Sequence, residues 1–183
     1  MKPVTRNLLL LAPALAIAAL ATAWRLSGGH VSGPYAGLDQ REIKSLAPDR
    51  IKGLRAGDGL GYALSAELND VPGPLHALEL DLGLTDEQRA AIVAVQTEMR
   101  TEAKRHGEAL IEAERALDTA FAARTATPEE IERLTVEAAA IEARLRATHL
   151  VAHLATDPIL TPEQREAYAA ARGYGGHGAH TGH

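Results

Sequence analysis

Apolar residues recur at helical spacing over most of the chain beyond residue 39, and nowhere do they alternate as a strand requires. The longest run, residues 84–125, sets Ile92, Val95, Met99, Leu110, Ala113, Leu117 and Phe121 on one stripe; it keeps its period for about eleven turns. A second stripe, Ile131, Leu134, Ala138, Ile141 and Leu145, belongs to a helix from Pro128 to about Thr156, where Asp157-Pro158 ends it. Three helix starts carry a Thr cap with a Gln or Glu three residues on: Thr85 with Gln88, Thr127 with Glu130, Thr161 with Gln164. Pro128 and Pro162 then occupy first helical positions, where a missing N–H costs nothing. Shorter helices precede the long ones. One begins at Pro48 and ends at Gly57, one is capped by Asp58 and closed by residues 71–74, and one runs from Pro74 to Gly83. Gly107 is the single weak residue inside the long helix. The pattern predicts an all-α fold whose main element is a long antiparallel helical hairpin with short flanking helices.

Composition narrows the picture. Hydrophobic residues make up 46% of the chain but aromatics only 3%, so the core is built of Ala and Leu and is thin. Such a core predicts a homodimer, the usual remedy for a small interior. The net charge of −5 is spread in mixed sign along the helices, without the basic patch a nucleic-acid partner demands. There is no cysteine, which excludes disulfides, thiolate ligands and thiol catalysis. Carboxylates stand in helical pairing with arginines, as Glu142 with Arg146, and no Ser/His/Asp order or Gly-rich phosphate loop occurs. The chain does not read as an enzyme.

Residues 1–26 read as a targeting segment. Lys2 and Arg6 precede an uncharged apolar run from Leu8 to Ala23, and Ala21-Thr22-Ala23 forms a cleavage signature. This is a signal peptide, with retention as an inner-membrane anchor the alternative; either way the remainder is exported to the periplasm. Residues 27–38 are a Gly/Ser/Pro linker, 39–174 the helical domain, and 175–183 a Gly/His-rich tail.

Leu84, Thr85 and Gln88, and again Leu160, Thr161 and Gln164, spell the same LTxxQ motif at either end of the hairpin. An exported, cysteine-free helical chain with two such motifs resembles the LTxxQ superfamily of bacterial periplasmic stress proteins. That superfamily includes the Spy and CpxP chaperone-like proteins, zinc-associated ZraP and the CnrX-type heavy-metal sensors. The resemblance covers roughly residues 60–174, and the stretch from Ala66 to Leu80 is similar to members labelled periplasmic heavy-metal sensors. It implies a hooked helical bundle, a dimer, and either metal sensing or ATP-independent holding of unfolded proteins.

Eight histidines bear on that choice. Folding the hairpin about residues 124–128 places residue 103 opposite 149 and residue 99 opposite 153. His149 and His153, one turn apart on the second long helix, then face a polar gap in the first stripe made by Met99, Glu102 and His106. Imidazole, carboxylate and thioether together suit Cu, Zn, Ni or Co. The spacing departs from the CnrX-type pattern, which would have Met where this chain has His153. His177, His180 and His183 in the tail form a second, looser chelating set, and His76 beside Glu79 is a further weak candidate. His30 lies in the linker. The expected function is sensing or buffering a transition metal, with an inner-membrane regulatory partner; the alternative is a Spy-like holdase acting on unfolded clients.

Overall fold

The computed structural model describes residues 33–173. The targeting segment, His30 and the tail histidines His177, His180 and His183 lie outside the described residues. Two units separate at residues 39 and 40: the first contributes a turn at residues 33–39, and the second, residues 40–183, holds every α-helix described.

Six α-helices follow in order: α1 Pro48–Ala56, α2 Leu64–Glu67, α3 Pro74–Glu79, α4 Asp86–Ala122, α5 Pro128–Thr156 and α6 Pro162–Ala171. No strand occurs among the described residues, and none of these helices is long and apolar enough to cross a membrane. The Thr caps act as the spacing predicts. Thr85 and Thr161 each accept from the backbone N–H of the Gln three residues on, and each Gln carboxamide accepts in return from the cap N–H. Thr127 caps α5 with Pro128 behind it. The 37 residues of α4 extend roughly 55 Å, and α5 returns antiparallel along it after a turn through Arg124 at φ 56°.

Two expectations fail locally. Residues 58–70 make only the single turn of α2, and Asp58 caps nothing; Leu60 at φ 44° and Gly61 at φ 79° break the chain before Ala63. Likewise α3 stops at Glu79 rather than Gly83: Leu80 turns to extended backbone, Leu82 N–H bonds the Leu80 carbonyl, and Gly83 takes φ 61°.

Gly107 is explained by packing. α1 crosses α4 at this point so closely that a Cβ on Gly107 would stand 2.3 Å from the Leu54 carbonyl oxygen. Around this crossing lies one apolar cluster, with Ile43, Leu54, Ala103, Leu110, Ile111 and Leu145. A second cluster, Ala77, Leu82, Ile92, Leu160 and Tyr168, fills the open end. Phe121, expected on the buried stripe, is 60% exposed.

Candidate functional site

The two LTxxQ motifs meet. Gln88 Nε2 donates to Gln164 Oε1 (2.8 Å) and to the Ile159 carbonyl (2.8 Å), while Gln164 Nε2 donates back to Gln88 Oε1 (3.1 Å). Each carboxamide thus uses its oxygen to cap its own helix and its nitrogen to hold the other motif. Leu160 is buried beneath and Leu84 packs against the same cluster. Thr starts the helix, Gln clasps, Leu anchors: every fixed position of the motif has a physical job, and the job is structural.

Between the two apolar clusters, α5 presents His149 and His153 to a cavity of about 430 Å³ whose walls include Glu67, His76, Met99 and Arg100. His149 is 3% exposed, its ring stacked on Tyr62 at 5.9 Å, and its Nε2 is buried without a hydrogen-bond partner. A buried, unpaired ring nitrogen is costly and rare. Burial holds this imidazole below its ordinary pKa, and neighbouring His153 adds to the effect, so the ring is kept neutral. Tyr62 is fixed in turn by Glu142 (2.9 Å) and Arg50 (2.8 Å), and its hydroxyl is pushed up to about 12, chiefly by burial.

His153 is set differently. Its Nδ1 lies 2.7 Å from the Val71 carbonyl, so Nδ1–H donates, and the tautomer this bond selects carries its lone pair on Nε2. Gly73 packs against that edge, where a Cβ would stand 2.6 Å from Nε2. Behind Nδ1, at 3.9 Å, is the buried carboxylate of Glu67. It accepts from the Tyr168 hydroxyl (2.9 and 3.0 Å) and from Arg172 Nε (2.7 Å). Burial pushes the Tyr168 hydroxyl well above its usual pKa, so it remains a donor.

The expected seam cluster does not assemble. Glu102 and His106 line a separate cavity of about 420 Å³, with Arg144 and Val151, on another side of the hairpin. Glu102 pairs with Arg105 (2.6 Å) and sits 3.8 Å from His106 Nε2, which Arg105 also approaches at 3.0 Å. Only Met99 borders both cavities. The expected pairing compared levels along the hairpin and ignored the direction around each helix. At 100° per residue, Glu102 and His106 point roughly a third of a turn away from Gln96 and Arg100, which do face the histidine cavity. Among the described residues, no group of three or more His, Asp or Glu side chains is placed to hold a metal. His76 lines the histidine cavity but pairs with Glu79 through Nδ1 at 3.1 Å.

Glu67, Tyr62, Tyr168 and Arg172 carried no signal in the sequence. Apart from Arg50, 12 residues from Tyr62, the partners that place them lie 80 to 105 residues away, and no local spacing encodes such contacts.

No curated protein and no solved structure matches the chain. A family model described as LTXXQ motif family protein matches residues 71–172, from the loop beneath His153 to Arg172. That span is more than half of the chain and takes in both motifs, the whole hairpin and the histidine pair. The chain belongs to the LTXXQ motif family, the family of Spy/CpxP-like periplasmic proteins.

Proposed function

We propose that this protein is an exported periplasmic stress protein that captures a divalent transition metal or copper in the cavity lined by His149 and His153. The observation that carries this reading is the unpartnered, buried Nε2 of His149, one turn from a second imidazole whose Nδ1–H is already committed to Val71. A metal ligand needs a ring nitrogen free to give its lone pair, and each ring has an Nε2 that no hydrogen bond among the described residues engages. The remaining donors in the walls, the Met99 thioether and His76, complete a set suited to Cu, Zn, Ni or Co. Because fewer than three such donors are gathered beforehand, binding includes a side-chain rearrangement, and the affinity is modest. What a bound ion supplies is charge and a link between α5 and the short helices; no reaction follows from this donor set.

The test is calorimetric titration with Zn²⁺ and Cu²⁺ of a protein whose tail histidines, His177, His180 and His183, are replaced by Ala. Adding His149→Ala and His153→Ala should weaken binding by at least about tenfold, a loss of 1.4 kcal/mol or more. Unchanged affinity overturns the reading.

A holdase reading draws on a different observation. Phe121, Val136, Val151 and Leu154 are each 60% or more exposed along the hairpin, which is unusual for large apolar side chains and suits weak contact with unfolded clients. Suppression of client aggregation by the metal-free protein, lost on replacing these four with polar residues, separates it from metal capture.

A further inference from the structure

We propose that Glu67 couples the histidine pocket to the C-terminal half of α6, so that a ligand held on His153 tightens that helix. The inference rests on the reading of the pocket as a metal site.

Glu67 is 7% exposed, on the one-turn helix α2, and it stands against two other helices, α5 and α6. Both oxygens accept from Tyr168, Oε1 also takes Arg172 Nε, and Oε2 lies 3.9 Å from His153 Nδ1. Tyr168 and Arg172 are one turn apart on the same face of α6. The Tyr168 oxygen also accepts from the Gly73 N–H (3.2 Å), in the loop whose Val71 carbonyl holds His153. The carboxylate, the loop and α6 therefore form one buried polar unit with His153 at its edge.

A carboxylate offers about four lone-pair sites. Three hydrogen bonds come from Tyr168 and Arg172, and Oε2 stands 3.9 Å from His153 Nδ1, beyond hydrogen-bond distance. When Nε2 of His153 donates its lone pair, the ring gains positive character: its Nδ1–H holds the Val71 carbonyl more firmly, and the added charge stands 3.9 Å from the Glu67 carboxylate. In a buried site that added charge acts on Glu67 with little screening. Glu67 is tied through both oxygens to Tyr168 and Arg172, so a firmer hold on His153 is a firmer hold on α6. The opposite end of α6 is already held by the Gln88–Gln164 clasp. The response is therefore confined to the last turn and a half, the part that leads into the His-rich tail. Glu67 acts through His153 and is a positioning residue.

The test is hydrogen exchange of backbone amides in residues 165–172, with and without saturating Zn²⁺, in the full chain with His177, His180 and His183 replaced by Ala. Zn²⁺ should slow exchange there by about fivefold or more, the lower end of typical coupling between sites. The same ion should slow exchange less in Tyr168→Phe, where Arg172 alone still ties Glu67 to α6, and leave it unchanged in Glu67→Gln, each checked for native helicity. Coupling is reciprocal, so Tyr168→Phe, which removes no plausible ligand, should also weaken Zn²⁺ binding, by a factor comparable to the slowing. If Zn²⁺ binds at His149 and His153 but exchange in α6 does not change, the coupling is wrong and the metal reading stands. If Zn²⁺ does not bind, both fall. If Glu67→Gln abolishes binding while Tyr168→Phe leaves affinity and exchange unaltered, Glu67 is a ligand and the relay is refuted.

Discussion

Replacing Gly107 by Ala sets two effects of opposite sign against each other. In an exposed helix interior the change stabilises by about 1 kcal/mol, because Ala loses less backbone entropy and shields the helix. At the crossing of α1 and α4 the new Cβ would meet the Leu54 carbonyl oxygen at 2.3 Å and its carbonyl carbon at 2.9 Å. Neither is the end of a side chain that can swing aside. Relief requires moving α1 off α4 by roughly 1 Å, which opens a cluster in which Leu54 is 1% exposed and Ile111 fully buried. Overpacking of this kind costs about 1–3 kcal/mol, and a backbone-to-backbone clash belongs at the upper end. The net expectation is a loss of about 2 kcal/mol, or a fall in Tm of roughly 5–10 °C for a domain of this size. Urea and thermal denaturation followed by circular dichroism measure it directly. A G107A protein as stable as its parent, or more so, would refute the close crossing.

Gly73→Ala presses on the His153 ring rather than on backbone, so it should cost under about 1 kcal/mol in Tm measurements yet weaken Zn²⁺ titration at least about tenfold; normal affinity would place the metal elsewhere. Gln88→Ala and Gln164→Ala should each destabilise by about 1–2 kcal/mol, and their double-mutant cycle should show a coupling near 1 kcal/mol for the shared carboxamide bonds; strict additivity would deny the clasp. Burial holds His149 and His106 below their ordinary pKa in the fold, so with a chelator present stability should fall as the pH drops below about 6.5, the value for the unfolded chain. A rise in Tm on acidification over that window would contradict their buried, neutral state. The homodimer expected from the thin Ala/Leu core is checked by light scattering, where a monomeric mass at micromolar concentration with intact helicity rules it out.

What the sequence disclosed and what it withheld divide along a physical line. Helix starts are local events: a Thr hydroxyl reaching an N–H three residues on, or a Pro ring at a first helical position, involves no distant partner. Thr85, Thr127 and Thr161 therefore cap where their spacing says they should. The break at Leu60–Gly61 depends instead on what the segment covers, and the helix expected from Asp58 onward gives way to a single turn over the histidine pair. The site was half legible for the same reason. His149 and His153 share a face by helical arithmetic alone, and they do line one cavity. Which residues stand opposite them depends on how α4 is rotated about its own axis, and that rotation answers to packing along the whole helix, against α5 as well as against α1 at Gly107. In the fold α4 offers Gln96, Met99 and Arg100 to the histidines and sends Glu102 and His106 to the other cavity. The acidic group that does stand behind His153 comes from α2, a helix of four residues with no periodicity to announce it. Gly107 shows the same limit: read alone it is a flaw in a helical pattern, and only the approach of the Leu54 backbone gives it a reason, just as only the folded chain brings Glu67 within 3.9 Å of His153.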